Sequence, residues 1–396
     1  MGGSYIEEKL PLYIRDICRR FFAAGEDAYV VGGSLRDIML GRVPSDFDIA
    51  AAALPNRTVE LFSDMRVIET GKKHGTVTVI INGIPVEITT FRIDGSYTDS
   101  RHPDAVRFTG RIEDDLSRRD LTVNAMAYNE RVGLVDPFGG RQDLSDGIIR
   151  AVGDSRRRFS EDALRIMRAF RFSAQLGFCI EDDTLSGAVE CKDGLANIAR
   201  ERIASEFLKL IMSNSPGDAL SIMAETGVLT YITGGYCPDA GIFELLSDMP
   251  REEGARLGLF LSDADEDDAR SILLSLKYSN ALTSAALAVR RGSKRAVNDP
   301  VDARRLIGEC GIHAKNAVVA SVLLGRSSAD ASVWVEKNNA PTSLRELQIT
   351  GRDLMSVGIM GRDIGKTLDR LLEAVVEDPR LNNRETLLDM VEKMRK

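Results

Sequence analysis

The feature that most limits how this chain can fold is a change of hydrophobic period near Arg150. Upstream, β-branched residues gather in short runs; downstream, apolar residues recur at helical spacing to the C-terminus. The clearest upstream signal is Thr76-Val77-Thr78-Val79-Ile80-Ile81, then Asn82-Gly83, then Ile84-Pro85-Val86-Glu87-Ile88-Thr89-Thr90-Phe91. Two β-rich runs around Asn-Gly predict a tight hairpin. Ala28 to Val31 reads as a short buried strand, Ile6 to Ala24 as one helix, and Thr122 to Tyr128 as a short helix or turn. The expected class is α+β: a mixed-sheet head over 1–150, then helical segments over 151–215, 216–300 and 301–396. The later boundaries sit at turn clusters, Ser213 to Gly217 and Asn298 to Pro300.

Composition excludes several classes. No run of about 18 apolar residues could span a bilayer. Glu7, Glu8 and Lys9 interrupt any secretory leader, and Ile6 breaks the myristoylation pattern. A cytoplasmic location is expected. The five cysteines are scattered with no C-x-x-C pair, which predicts neither a disulfide framework nor a zinc site. A net charge of −8 argues against a nucleic-acid partner only on its face, because a local basic groove can bind RNA on an acidic protein. The acidic stretch Asp263 to Asp268 reads as a solvated connection.

Two aspartates, Asp46 and Asp48, follow the run Gly32-Gly33-Ser34-Leu35-Arg36-Asp37. On one strand, Asp46 and Asp48 would share a face while Phe47 and Ile49 point into a core. The glycine pair would let backbone N–H groups approach phosphate, with Arg36 reaching the same charge. Together these describe a nucleotidyl-transfer site. Glu87, alternating with buried positions in its strand, is either an exposed strand glutamate or a third acid. Two divalent ions about 4 Å apart would activate the attacking hydroxyl and neutralise leaving pyrophosphate. Magnesium suits such hard oxygen ligands.

Two further runs carry arginine. Arg118-Arg119-Asp120-Leu121-Thr122-Val123-Asn124-Ala125 is a charged helix start capped by Asp120 or, beside the upstream motifs, a nucleotide site in which arginines grip phosphate and Asp120 accepts from a ribose hydroxyl. Glu161 to Arg171 predicts a helix with Ser160 as N-cap. Asp162, Arg165, Arg168 and Arg171 recur every third residue along it, either as a solvated salt-bridge ladder or as groups that read a base.

In this order the motifs resemble the class II tRNA nucleotidyltransferases, the CCA-adding enzymes, which share a superfamily with bacterial poly(A) polymerases. The resemblance also takes in Asp136-Pro137-Phe138-Gly139-Gly140, Glu201-Arg202 with Glu206, Ile349-Thr350-Gly351-Arg352-Asp353-Leu354 and the Asn382 region, so it covers nearly the whole chain. It implies a head, neck, body and tail. It implies metal on Asp46 and Asp48, and contacts to CTP or ATP from Gly33, Arg36 and Arg119, with Asp120 near the ribose. Asp162 and Arg165 would form an amino-acid template for the base, with Arg168 and Arg171 as further contacts. The chemistry of such a template is simple. Cytosine and adenine both offer an amino donor beside a ring-nitrogen acceptor, so a carboxylate and a guanidinium pair with either. Uracil and guanine would set a carbonyl oxygen against Asp162, leaving two acceptors opposed at a cost of about 1 to 3 kcal/mol.

Arg92 to Phe108 resembles the family's flexible loop, whose presence favours addition of A as well as C. Leu121 stands where phenylalanine is common, a change expected to be silent. No His-Asp pair occurs among His74, His102 and His313, so the HD domain of some relatives is not expected. The implied activity is template-independent addition of CCA to a tRNA 3′ end from CTP and ATP. Addition of A alone or CC alone, or a poly(A) polymerase, are the alternatives.

Overall fold

Two short helices, α1 (Gly3–Lys9) and α2 (Leu12–Ala23), stand where one was expected, because Pro11 cannot continue a helix. The computed structural model describes residues 3–95 and 106–395, so the inner part of the expected loop, including Tyr97 and Arg101 to Asp104, lies outside the described residues. Two compact units divide the chain. The first is Met1–Leu210 with Ile222–Ile232, and the second Ile211–Ser221 with Thr233–Lys396.

A seven-stranded sheet organises the first unit. Its strands are β1 (Ala28–Val31), β2 (Asp48–Ala51), β3 (Arg66–Ile68), β4 (Thr76–Ile81), β5 (Ile84–Thr90), β8 (Ala127–Asn129) and β9 (Gly133–Val135), in the order β3-β4-β5-β2-β1-β8-β9. Between β5 and β8, a separate ribbon pairs β6 (Arg92–Asp94) with β7 (Val106–Phe108). The β4–β5 hairpin forms as read, with Asn82 and Gly83 both at positive φ, as its two-residue turn demands. All four residues of β1 are buried. β2 and β5 are the sheet's one parallel pair, and their register sets Asp48 directly opposite Glu87. Tyr29, Val31, Ala50, Phe91 and Ala127 pack beneath α5 (Ile112–Ser117), which buries Ile112 and Leu116 against them.

Helices of the first unit include α3 (Gly33–Met39), α4 (Pro55–Leu61), α6 (Gly140–Asp146), α7 (Ser155–Glu161), α8 (Leu164–Leu176), α9 (Asp182–Cys191) and α10 (Arg200–Ile211), of which α3, α8 and α10 line the cleft. The run Thr122 to Tyr128 resolves into a 3₁₀ turn, Thr122–Asn124, and the strand β8 rather than a helix. Beyond Arg150 the fold is helical, as the period predicts. One exception is the two-residue strand Cys179–Ile180 (β11), which pairs in parallel with Ile148–Ile149 (β10).

The second unit is helical throughout its described residues. One core gathers Val297, Leu306, Ala317, Val318 and Val335, and another gathers Ile349, Leu354, Leu371, Val375, Leu387 and Val391. Arg256 is almost fully buried there, with Nη1 donating to the carbonyls of Ile211 (2.8 Å) and Ser213 (2.6 Å). Among the described residues no helix is long and apolar enough to cross a membrane, and all five cysteines are free thiols.

Candidate active site

Leaving β1, the chain turns at Gly32 (φ +74°) into α3. A Cβ there would lie 2.9 Å from Nη1 of Arg119, so glycine is required both for the backbone and for the approach of that guanidinium. Arg36, one turn into α3, donates to Asn124 Oδ1 (2.7 Å) and to Asp37 Oδ1. The sequence run around Asp120 is thereby joined to the glycine turn.

The paired aspartates are placed differently from the expectation. Only Asp48 belongs to β2; Asp46 lies two residues before the strand and is exposed. Ile49 is buried in the core as expected, while Phe47 is only half-buried. Asp46 and Asp48 both line a cleft of about 900 Å³, and Glu87 stands beside it on β5. The Asp48 carboxyl is raised above the usual carboxylate range, first by desolvation at the cleft floor, then by the negative charges of Asp46 and Glu87, with Arg119 opposing. Although its side chain reaches the cleft surface, the protein crowds it enough for that shift. Among the described residues no three His, Cys, Asp or Glu side chains are gathered closely enough to hold a metal by themselves. Two carboxylates with open positions still fit magnesium, which keeps waters and phosphate oxygens as its other ligands.

Arginines line the same cleft. Arg119 donates to the Asn124 carbonyl (3.3 Å) and lies 3.4 Å from Asp115, but its buried Nε has no hydrogen-bond partner. Asp115 is fully buried. Its Oδ1 accepts from Nε (2.9 Å) and Nη2 (2.8 Å) of Arg118, so one carboxylate holds both arginines of the pair. Asp120, expected near a ribose, is buried with both oxygens engaged. Oδ1 accepts from the Leu121 N–H (2.9 Å) and Oδ2 from Nε of Arg168 (2.6 Å). Burial alone would push this carboxyl up, but the charge and hydrogen bond of Arg168 outweigh it and hold it at about 2. Asp120 is thus an anchor for Arg168 rather than a free acceptor.

The helix expected from Ser160 is two. α7 is capped by Asp154, whose side chain accepts from the Arg157 N–H, and ends at Glu161; α8 begins at Leu164. Ser160 lies in the last turn of α7 and caps nothing. Asp162 sits in the corner, where Oδ1 accepts from the Leu164 N–H (3.0 Å) and Oδ2 from Nη2 of Arg202 on α10 (2.9 Å). Arg165 donates to Glu161 (2.7 Å) and to the carbonyls of Arg158 and Arg118, which ties the corner to the end of α5. Asp162 and Arg165 both line the cleft without pairing to each other, so neither cancels the other.

Further along α8, the guanidiniums of Arg36, Arg168 and Arg171 lie 4.8, 5.4 and 4.1 Å from the centre of the Phe172 ring. Each is within cation–π range. Arg171 is pulled down to about 10, mainly by burial, with Glu206 opposing. Its Nη1 lies 3.2 Å from Glu206 but is not aligned for a hydrogen bond, so that contact is Coulombic. Phe172, Asp115 and the Asp162–Arg202 contact are site features that the sequence does not announce. In sequence, Phe172 is one apolar residue of a helix, Asp115 one of three acids in α5, and Arg202 lies 40 residues from Asp162. Asp136, by contrast, serves the fold by accepting from the N–H groups of Gly140 (2.7 Å) and Arg141 (2.9 Å) at the start of α6.

Comparisons with known proteins agree along the chain. Residues 28–150 match the family described as Poly A polymerase head domain, 177–236 the "Probable RNA and SrmB- binding site of polymerase A", and 252–391 the tRNA nucleotidyltransferase domain 2. The CCA-adding enzyme of Leuconostoc mesenteroides is 47% identical over 54% of this chain and 53% of its own, so in that match the chain spans about half the relative's length. The CCA-adding enzyme of Geobacillus kaustophilus is 34% identical over 94% of both chains. The crystal structure of the Bacillus stearothermophilus CCA-adding enzyme in complex with CTP superposes with a TM-score of 0.79 at 31% identity, covering 96% of this chain and 97% of that one. Similarity of this extent, from the glycine turn of the head to the last helices, makes the chain a member of the CCA-adding enzymes, a family of tRNA nucleotidyltransferases.

Proposed function

We propose that this chain adds C, C and A in turn to the 3′ end of tRNA, taking CTP and ATP and releasing pyrophosphate. The observation that carries the reading is one cleft lined both by Asp46 and Asp48 and by Arg119, Arg165, Arg168 and Arg171. A nucleoside triphosphate with a divalent cation complements both. Asp46 and Asp48 are the residues that would hold magnesium, and Glu87, in register with Asp48, adds negative charge beside them. Magnesium bound there supplies charge neutralisation at the phosphates and a more acidic 3′-hydroxyl.

The protein's own groups do the remaining work. Arg36, on the helix after the glycine turn, and Arg119, packed against that turn, face the phosphates, with Gly33 leaving the backbone open beside them. Asp120 keeps Arg168 pointed at the cleft. Asp162 accepts the amino group of cytosine or adenine, and Arg165 donates to the neighbouring ring nitrogen. The 3′-hydroxyl attacks the α-phosphate in line and pyrophosphate leaves. On this reading residues 1–150 are the catalytic head, 151–215 the neck that selects the base, 216–300 the body and 301–396 a tail that grips the tRNA acceptor arm. Recognition is mostly of backbone and shape, which suits substrates that share a fold and differ in sequence. A cytoplasmic location fits such a substrate.

The test is incorporation of labelled CTP and ATP, separately and together, into tRNAs ending at the discriminator base, at C and at CC. Full CCA addition that then stops is the expected result. Addition of only A or only CC would assign the chain to a divided pair of enzymes, and unlimited A addition to unrelated RNA would make it a poly(A) polymerase.

A further inference from the structure

The motif Glu201-Arg202 with Glu206 has no part in the mechanism above, yet Arg202 and Glu206 face the base-reading row directly. Arg202 and Glu206 are four residues apart on α10 and so share a face of that helix. Arg202 pairs with Asp162 at 2.9 Å, ahead of α8, and Glu206 lies 3.2 Å from Arg171 further along it. The polarity is reversed at the two ends: a cation of α10 meets the acid, and an acid of α10 meets a cation.

We propose that Arg202 is a positioning residue that determines nucleotide selectivity by fixing the carboxylate plane of Asp162; this rests on Asp162 being the base acceptor, as argued above. The terminal torsion of an aspartate is broad and nearly two-fold, so a carboxylate held by one oxygen can turn. Here both oxygens are pinned, Oδ1 by the Leu164 N–H at 3.0 Å and Oδ2 by Nη2 of Arg202 at 2.9 Å. Each carboxylate oxygen has a second acceptor direction, so the pinned group still receives a base amino group. Asp162 and Arg202 both line the cleft and keep partial exposure, 16% and 26%. Pinning matters more for the wrong base than for the right one. An amino donor would draw a loose carboxylate into place, whereas a carbonyl oxygen would push it aside and escape the penalty of two opposed acceptors. A fixed carboxylate cannot move aside.

The experiment measures kcat/KM for CTP, ATP, UTP and GTP on tRNA ending at the discriminator base or at CC, for the wild type, Arg202→Gln and Arg202→Lys, with Asp162→Asn as background. Arg202→Gln is expected to raise the UTP-to-CTP ratio about tenfold, the equivalent of about 1.4 kcal/mol of lost discrimination. Arg202→Lys, which keeps the charge without the planar fork, should raise it about threefold. Neither change should alter the ratio in the Asp162→Asn background. A uniform loss across the four nucleotides, an unchanged ratio, or a full shift in that background overturns the proposal. If Arg202→Gln does not fold, Arg202→Lys decides alone, an unchanged ratio counting against it. A wild type that adds neither C nor A would instead refute the function, which separates the two failures.

Discussion

Asp120→Asn should weaken the protein at neutral pH and lose that effect in acid. Asparagine can keep its oxygen on the Leu121 N–H, but its amide nitrogen then faces Nε of Arg168 across the 2.6 Å now spanned by a charged hydrogen bond. Two donors oppose each other, and Arg168 loses the charge that balances it. The Asp120 carboxyl is held at about 2 against an ordinary 3.8. At about 1.36 kcal/mol for each pK unit, that is a contribution on the order of 2 kcal/mol. A folded-state value below the unfolded one means that the stabilisation is complete above about pH 4 and is lost as pH falls toward 2. In urea titrations of the full chain, the variant should be weaker by about 2 to 4 kcal/mol at pH 7 and pH 5. At pH 3 the gap should narrow by about 1 kcal/mol, because the carboxyl of the unfolded chain takes up a proton there while the native one, held at about 2, stays ionised. The transition should be followed in the unit that holds Asp120, since a chain of two compact units need not unfold in one step. No gap at pH 7, or the same gap at pH 3, would refute the pairing as the source of the stability.

Asp46→Ala should abolish incorporation while tRNA binding, measured by filter retention, stays within about twofold; equal loss of both would remove the metal role. Asp162→Ala should raise use of UTP and GTP relative to CTP and ATP by about tenfold or more, seen in competition assays, and unchanged selectivity would remove the template. Gly32→Ala combines a strained φ of +74° with a Cβ 2.9 Å from Arg119 Nη1. It should cost about 1 to 2 kcal/mol of stability and raise KM for nucleotides; a wild-type KM would show that Arg119 does not depend on that turn.

Local signals in this chain are reliable where one short segment decides its own conformation. The Asn82-Gly83 turn and the apolar run of β1 need nothing from elsewhere. Sequence and structure part where a boundary depends on neighbours. Ser160 has the right chemistry for a cap, but α7 starts earlier, at Asp154, and has just ended when Asp162 arrives. Asp46 reads as a strand residue, yet pairing with β1 begins only at Asp48. Pro11 is a legible break that divides the first helix in spite of the apolar spacing on both sides. The positions of the site residues are easier to read than their duties. Asp120 has the expected place in the sequence run, yet its two oxygens are used to hold another residue. No spacing rule could give Arg202 its partner, because that contact exists only after α10 folds back on the corner before α8.

Phe172 has a consequence for the protein without ligand. Three guanidiniums gather on its ring, and an aromatic face attracts cations without neutralising them. Asp37, Asp120 and Glu206 each face one of the three, yet the charges of Arg168 and Arg36 still act on Arg171 and help to lower its pKa. Some repulsion among the three therefore persists in the folded protein, and a bound polyphosphate would add negative charge that opposes it as well as forming its own contacts. Nucleotide binding should thus stabilise the fold by more than its direct contacts, through eased crowding of charge around that ring.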